Sequence, residues 1–318
     1  MLDLLIVFGI AVYVAWSMGA NNESMSIFAG SGFTSATVAA ILGATMVFTG
    51  SLILGHLVET TIAKGLMFLE ITPIDAFTIM LSAAIWLTVA TCLGWPVSST
   101  HSVVGAAIGL GLMKSGLSII NWENLATIIV AWVFSPLIGL FCAMLMVRLL
   151  RHVWHRRVLG LRDLVKTTSK SAVLLLFCSC FTTFFRGAND VPNATAFLST
   201  VYRDPLIVRF IGGTGMALGL MILGRRVIRS VGFNLTKLDP MAALSAQASV
   251  MLVLITGTLL GIPLSATHIL IGAITGVGLT RRVWVNIGKI REIIYAWTAT
   301  FLVTMLICTI IYLLKSVF

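Results

Sequence analysis

Charged residues are scarce in this chain. Asp, Glu, Lys and Arg make up 10% of its 318 residues, while 58% are hydrophobic. A soluble domain needs about 25% charged residues to cover its surface. A surface with so few charges must face lipid over most of its area. The composition therefore excludes an ordinary soluble domain and predicts a membrane protein.

Several familiar motifs are also missing. The five cysteines form no CxxC pair and have no metal-ligand spacing, which argues against a redox or zinc centre. The sequence has no HExxH motif and no P-loop, which argues against a zinc hydrolase and a self-contained ATP-driven pump. Although the net charge is +10, the basic residues form no RNA- or DNA-binding motif, so no nucleic-acid partner is expected.

The basic residues instead lie between apolar runs, most densely in residues 148–170. Short basic segments next to membrane spans face the cytoplasm under the positive-inside rule. We therefore predict three parts: a first transmembrane repeat over 1–147, a basic cytoplasmic connector over 148–170, and a second transmembrane repeat over 171–318.

The word repeat rests on a duplication within the sequence. GANNESMS begins at Gly19 and is matched by GANDVPNA, which begins at Gly187. PVSSTH begins at Pro96 and is matched by PLSATH at Pro263, and Ala131-Trp132 is matched by Ala296-Trp297. Three matches in the same order, at a nearly constant offset, indicate a duplicated membrane unit. An odd number of crossings per unit would invert the second copy relative to the first.

Eight apolar stretches are long enough to cross a bilayer, which takes about 20 residues. Four further stretches are shorter and open with polar residues, Gly or Pro: Ala20–Gly32, Val97–Leu112, Gly187–Thr200 and Leu264–Leu279. Interrupted segments at matching positions of two halves are typical of a transporter's binding centre. We predict an all-α polytopic membrane protein of two inverted-topology repeats, with about 10–12 transmembrane segments including re-entrant helical hairpins.

The first pair of matching motifs contains polar clusters. One cluster is Asn21, Asn22 and Glu23, and the other is Asn189, Asp190 and Asn193. Carboxylates and amides are costly inside a bilayer, so they usually face a cavity or bind a ligand. Their oxygens are the hard ligands that an alkali cation requires. The alternative is that each cluster lies at a helix end in the headgroup region.

The second pair of motifs contains hydroxyl residues after a proline: Ser98, Ser99 and Thr100 in one copy, Ser265 and Thr267 in the other. Proline at the first helical position followed by hydroxyls predicts a helix start. The unpaired N–H groups and positive dipole end of such a start attract anions. Two starts with hydroxyl donors suit a tetrahedral oxyanion. The alternative is ordinary helix capping.

Three more residues are candidates for supporting roles. His101 and His268 follow the hydroxyl residues at equivalent positions, where they could order the site or relay a proton. Arg186 precedes the second polar cluster, where it could neutralise Asp190, attract the anion or extend toward the headgroups. The tryptophans are interpreted as generic packing and interfacial residues.

At these motifs the sequence resembles the inorganic phosphate transporter (PiT) family, whose hallmark is a duplicated GANDVANA-like motif, each copy followed by a PVSTTH-like motif. GANDVPNA differs from the first pattern by one proline. PVSSTH and PLSATH keep the proline, first serine, second threonine and histidine of the other pattern. The likeness covers essentially the whole chain.

The resemblance implies a twelve-segment inverted-repeat fold in a cell membrane, with the termini outside and the connector inside. The implied function is symport of inorganic phosphate with Na⁺ or H⁺, without any other cofactor, by a chain that is not an enzyme. Phosphate ligands would be Ser98, Ser99, Thr100, Ser265 and Thr267, joined by Asp190. Cation ligands would be Asn21, Asn22, Asn189, Asp190 and Asn193, with Na⁺ expected at Asn189 and Asp190. Glu23 is a further candidate cation ligand because of its carboxylate, and not because of the resemblance. A homodimer is implied as well.

This sequence departs from the family pattern in its first half. Asn22 replaces an aspartate, Met25 replaces an asparagine, and Glu23 adds a carboxylate one residue along. Ala266 lacks the hydroxyl that Ser99 supplies in the other copy. The short chain suits a prokaryotic member. Sulfate remains an alternative substrate, and an intramembrane enzyme acting on a phosphorylated lipid with Asp190 and His268 is a less favoured alternative.

Overall fold

The structure is a computed structural model, and it describes residues 2–68, 71–155, 161–199, 202, 204–234, 239–282 and 285–317. Within these ranges the regular secondary structure is helical, apart from one short antiparallel bridge between Met67 and Ile120. A 3₁₀ helix covers Gly116–Ile119. The α-helices are α1 (Leu2–Ala20), α2 (Ser26–Gly30), α3 (Ala36–Leu54), α4 (His56–Gly65), α5 (Pro73–Cys92), α6 (Ser99–Ser115), α7 (Trp122–His155), α8 (Leu161–Ser199), α9 (Pro205–Ile222), α10 (Gly224–Asn234), α11 (Pro240–Leu259), α12 (Ala266–Arg281) and α13 (Ile287–Val317).

Eight spans in the described part of the chain are long and apolar enough to cross a membrane. They lie in α3, α5, α6, α7, α8, α9, α11 and α13. Two more helices are shorter: α1 has an apolar stretch over Phe8–Ala20, and α12 has 16 residues. The predicted all-α polytopic membrane fold is therefore confirmed. The inverted orientation of the second half stays a prediction.

The helices repeat in the same order along the chain. α5 and α11 each have 20 residues, and each begins with a proline that follows a side-chain cap, Thr72 or Asp239. Likewise α6 and α12 both begin directly after a capping serine. The matching pairs are α1 with α8, α3 with α9, α4 with α10, α5 with α11, α6 with α12, and α7 with α13.

The two sets of helices are interleaved. α6 packs against α13, and its counterpart α12 packs against α7. In the same way α1 packs against α9, while α3 packs against α8. Each half therefore completes its core with helices from the other half, and the duplicated motifs are brought into one interior.

Glycine allows the closest of these contacts. A Cβ atom on Gly272 of α12 would collide with the carbonyl of Pro136 in α7, and one on Gly105 of α6 would collide with the carbonyl of Phe301 in α13. Small residues that let backbones approach are common where membrane helices pack. The Gly-rich runs after the PVSSTH and PLSATH motifs perform this role in both copies.

The two copies of the first motif differ in backbone conformation. Both were expected to interrupt a helix, but only the first does: α1 ends at Ala20 and α2 begins at Ser26, whereas α8 continues through Gly187–Ala194 to Ser199, even across Pro192. The difference has a local cause. Asn22 accepts a hydrogen bond from the N–H of Ser24, which competes with helix formation. Asp190 instead pairs with Arg186 one turn earlier, which supports a helix.

The predicted connector is not a separate domain in the described residues. α7 extends through Arg148 and Arg151 to His155, and α8 begins at Leu161. Residues 156–160 lie outside the described ranges. The boundaries at 147 and 171 therefore fall inside two long helices, and the division into three parts stays a prediction.

The packing of α12 on α7 predicts that Gly272→Ala is destabilising. The added methyl group must push the two backbones apart, so we expect a loss of about 1–3 kcal/mol of stability. The midpoint of thermal unfolding in detergent measures it. Gly9→Ala is the matched control because nothing lies within 4 Å of a Cβ atom there. An unchanged midpoint for Gly272→Ala would contradict the close backbone contact.

Candidate functional site

The site is built around the starts of α6 and α12. Ser98 caps α6 by accepting a hydrogen bond from the N–H of His101 at 3.3 Å, and Ser265 caps α12 by accepting one from His268 at 3.4 Å. A helix thus starts within each motif, as predicted, but each proline lies three residues before the first helical residue and not at the first helical position. A hydroxyl that accepts a capping bond can still donate its own proton to a ligand.

The two helix starts lie side by side. The rings of His101 and His268 are 4.7 Å apart between centroids. Nδ1 of His101 is 3.4 Å from the carbonyl of Trp297, and Nδ1 of His268 is 3.2 Å from the carbonyl of Trp132. Since a carbonyl can only accept, each imidazole donates from Nδ1. These crossed bonds tie each helix start to a long helix of the other half, which supports an ordering role for both histidines.

Trp132 and Trp297 complete this arrangement, although the sequence interpretation gave tryptophans no role. The ring of Trp132 is 3.8 Å from that of His101, and the ring of Trp297 is 3.7 Å from that of His268. Trp297 also donates from Nε1 to the carbonyl of Pro96. The duplicated Ala-Trp pair was the signal that could have identified them. A cavity of about 590 Å³ opens beside the four rings, lined mainly by apolar side chains of α7 and α13.

Asn21 and Asn189 hold the segments that lead into the two helix starts. Asn21 donates from Nδ2 to the carbonyl of Trp95 at 2.8 Å and accepts from the N–H of Val97 at 3.0 Å. At the equivalent place, Asn189 donates from Nδ2 to the carbonyl of Ile262 at 3.0 Å. Both amides therefore position the helix starts. The oxygen of Asn21 is already engaged, whereas Oδ1 of Asn189 is buried without a partner in the described structure.

A buried charge cluster lies next to the start of α12. Arg186 donates from Nη1 to Glu23 at 2.5 Å, from Nε to Asp190 at 2.8 Å and from Nη2 to the hydroxyl of Thr267 at 3.3 Å. The exposed fractions of Glu23, Asp190 and Arg186 are 0%, 3% and 5%. Arg186 therefore points inward, and the alternative of an arginine that extends to the headgroups is wrong for this fold.

α8 reaches the start of α6 as well. Asn193 donates from Nδ2 to the hydroxyl of Thr100 at 3.5 Å. Arg186 and Asn193 are two turns apart, about 10 Å along the helix axis. One face of α8 therefore contacts both hydroxyl-bearing helix starts, which brings the polar cluster of GANDVPNA and the starts of α6 and α12 into one site.

The remaining predicted ligands are arranged differently. Oδ1 of Asn22 accepts from the N–H of Ser24 at 2.9 Å and from its hydroxyl at 2.6 Å, so this oxygen is used within its own turn. Ser99 is buried at the first position of α6, and the equivalent residue at the first position of α12 is Ala266. Around the two motifs, the buried carbonyl and carboxylate oxygens that lack a partner in the described structure are Glu23 Oε2, Asn189 Oδ1, Asn193 Oδ1 and Gln247 Oε1.

Gln247 is a residue that the sequence interpretation missed. It is fully buried in α11 and donates from Nε2 to the carbonyl of Ser24 at 3.3 Å. Its side chain therefore ties α11 to the turn that carries Glu23. A glutamine in the middle of an apolar span was the available signal, because such residues usually face a cavity or another polar group.

Comparison with known proteins identifies the family. Residues 18–308 match the model of the phosphate transporter family. The chain belongs to this family. The resemblance to inorganic phosphate transporters, based on the duplicated motifs, is therefore confirmed.

Named members of the phosphate transporter family align over nearly the whole chain. A Thermococcus kodakarensis protein named "Putative phosphate permease" is 29% identical, covering 97% of this chain and 97% of its own. A chloroplast protein of Arabidopsis thaliana named an inorganic phosphate transporter is 27% identical, covering 91% of this chain and 68% of its own. A solved structure titled "The sodium-dependent phosphate transporter" shares the fold, with a TM-score of 0.89, 24% identity and full coverage of both chains.

Two further predictions follow the family assignment. The chain is a transporter-family protein and not an enzyme, because its relatives are named as permeases and transporters. It is also a multi-pass membrane protein, as its apolar spans and its family both require. The alternative of an intramembrane enzyme acting on a phosphorylated lipid is excluded by the same assignment.

The bonds of Asn21 predict a local loss of stability in Asn21→Ala. The substitution leaves the carbonyl of Trp95 and the N–H of Val97 without their partner inside the protein, which costs about 1–3 kcal/mol. We expect faster hydrogen exchange over residues 93–99, measured by mass spectrometry. Asn124→Ala is the control because the side chain of Asn124 makes no hydrogen bond in the described structure. Equal exchange in both variants would contradict the positioning role of Asn21.

Proposed function

We propose that this chain is a secondary symporter that carries inorganic phosphate together with Na⁺ or H⁺ by alternating access, with the oxyanion bound where the two repeats meet. The observation that carries the proposal is the position of α8. Its Arg186 contacts Thr267 at the start of α12, and its Asn193 contacts Thr100 at the start of α6. A buried site that joins two anion-binding helix starts to two carboxylates suits a cargo of one anion with a cation.

The anion would bind between the two helix starts. The donors available there are the hydroxyls of Ser98, Ser99, Thr100, Ser265 and Thr267, all buried, together with the first N–H groups of α6 and α12. Arg186 brings a positive charge beside Thr267. Phosphate at neutral pH can also donate a hydrogen bond, which a carboxylate such as Asp190 can accept. Sulfate can only accept, so a site that contains carboxylates favours phosphate.

The cation would bind beside the polar cluster of GANDVPNA. Asn189 and Asn193 each have a buried side-chain oxygen without a partner in the described structure, and Asp190 lies between them in the sequence. Carboxylate and amide oxygens suit a hard cation such as Na⁺. The similar structure titled as sodium-dependent makes Na⁺ the first ion to test. Glu23 offers a further free oxygen, whereas the engaged oxygens of Asn21 and Asn22 make these two residues better suited to positioning.

Alternating access would use the two-fold arrangement of the helices. In transporters built from inverted repeats, the repeats or bundles rock around a fixed site near the middle of the bilayer. The interleaved packing of this chain and its buried site fit that scheme. We place the protein in a prokaryotic cell membrane, with residues 148–170 in the cytoplasm and both termini outside, as a homodimer.

Reconstituted protein tests the function directly. We expect proteoliposomes to take up radiolabelled phosphate when a sodium or proton gradient is imposed, and Asp190→Asn to lower that uptake by roughly ten-fold or more. The reason is that the variant breaks a buried ion pair, at a cost of about 2 kcal/mol or more. Glu123→Gln is the control because Glu123 is exposed in the first turn of α7.

The same assay separates the alternatives. Uptake that ignores both gradients would refute coupled symport. Saturable inhibition of phosphate uptake by sulfate at equal concentration, with sulfate itself accumulated, would make sulfate the substrate. Full activity of Asp190→Asn would show that the charge cluster takes no part in transport.

A further inference from the structure

The charges of the buried site break the two-fold pattern of the duplicated motifs. When GANDVPNA and the residues before it are aligned on GANNESMS, Arg186 corresponds to Met18 and Asp190 corresponds to Asn22. Glu23 in turn corresponds to Val191. The hydroxyls, the histidines and the helix starts are repeated, but the arginine and both carboxylates each occur once. The site therefore has a duplicated anion cradle and an unduplicated charge cluster.

The position of Glu23 follows from the position of Arg186. At residue 22 the side chain is used within its own turn, through the bonds from Ser24 to Asn22. One residue along, Glu23 reaches across to Nη1 of Arg186 at 2.5 Å. The first half thus places its carboxylate where it meets the guanidinium of the second half, while its Oε2 stays unpartnered in the described structure.

The charge of Arg186 is permanent. Guanidinium stays protonated at any physiological pH, and its planar fork suits two carboxylates at once. In the described part of the chain, the other buried carboxylates have their own partners elsewhere, Glu59 with Arg209 and Asp75 with Lys114. Glu23, Asp190 and Arg186 therefore leave one net negative charge at the site, where two free carboxylates would leave two.

We propose that Arg186 is a tethered counter-cation that takes the place of one mobile coupling ion. The inference rests on the proposed symport. A second cation would otherwise be needed to neutralise Glu23 and Asp190 before an anion could enter, because like charges repel strongly in a buried site. Arg186 supplies that charge as part of the protein and directs it at Thr267 beside the anion cradle. The chain consequently moves one fewer cation per phosphate than a site with both carboxylates unpaired.

A charge-balance series tests this inference. The number of cations moved per phosphate is obtained from the phosphate gradient that just balances a known cation gradient in proteoliposomes. Arg186→Gln leaves two unpaired carboxylates, so we expect the ratio to rise by one. Glu23→Gln leaves Asp190 as the one carboxylate of the cluster, and Arg186 compensates its charge, so the ratio should fall by one. The double variant Glu23→Gln with Arg186→Gln restores the original net charge, and the ratio should return to that of the unmodified protein.

The series distinguishes a counter-cation from a phosphate ligand. If Arg186 only binds phosphate, Arg186→Gln and the double variant both raise the KM for phosphate while the ratio stays unchanged, and that result overturns the inference. Arg186→Lys keeps the charge without the planar fork, so it should keep the ratio even if transport becomes slower. An unmodified protein without cation-dependent uptake would refute the proposed symport instead, which separates the two failures.

A binding measurement covers variants that transport too slowly. Purified protein in detergent is titrated with radioactive sodium, or assayed for proton uptake from weak buffer if protons are the coupling ion. We expect Arg186→Gln to bind one more cation per chain than the double variant. Equal numbers of bound cations in these two variants would overturn the counter-cation role.

Discussion

The pairing of Arg186 with Glu23 and Asp190 is the interaction on which the site depends. Three formal charges are withdrawn from water, and breaking such a buried pair by removing one partner is strongly destabilising. The same three side chains join the turn after α1 to the middle of α8 and to the start of α12. Without this cluster, the turn that carries Glu23 would lose its ion pair with Arg186 of α8.

Most features around this cluster occur in both halves of the chain, but the charges do not. Helix order, capping serines, crossed histidine–tryptophan contacts and the hydrogen bonds of Asn21 and Asn189 occur twice, so the starts of α6 and α12 are held in the same manner. The charges occur once. A symmetric frame suits a pathway that must open to either side. Under the proposed symport, the charges that occur only once would set how many ions the site holds.

Much of this could be predicted from the sequence, because a duplication leaves its mark in composition and spacing. The membrane class and the presence of a helix start in each of PVSSTH and PLSATH follow from local patterns. The continuous helix through GANDVPNA could not be predicted in this way, because Pro192 and the polar residues suggest a break. The side-chain pair between Arg186 and Asp190 supports the helix there, and sequence patterns do not show which of several competing local bonds will form.

Long-range polar contacts were likewise beyond the sequence. Nothing in the spacing shows that Glu23 reaches Arg186 from the other half of the chain, or that Asn21 binds the backbone near Trp95. Trp132 and Trp297 were treated as ordinary because tryptophan is common in membrane proteins. Their partners become visible only when α6 is placed against α13 and α12 against α7.

The lengths of α7 and α8 have a consequence for the edge of the bilayer. At 1.5 Å per residue, their 34 and 39 residues extend about 51 and 58 Å, against about 30 Å of hydrocarbon. Both helices are therefore longer than the hydrocarbon layer is thick. Arg148 and Arg151 near the end of α7 are exposed, and so are Lys166 and Lys170 near the start of α8. Burying these charges in hydrocarbon is costly, which favours a position of this end of both helices outside the lipid.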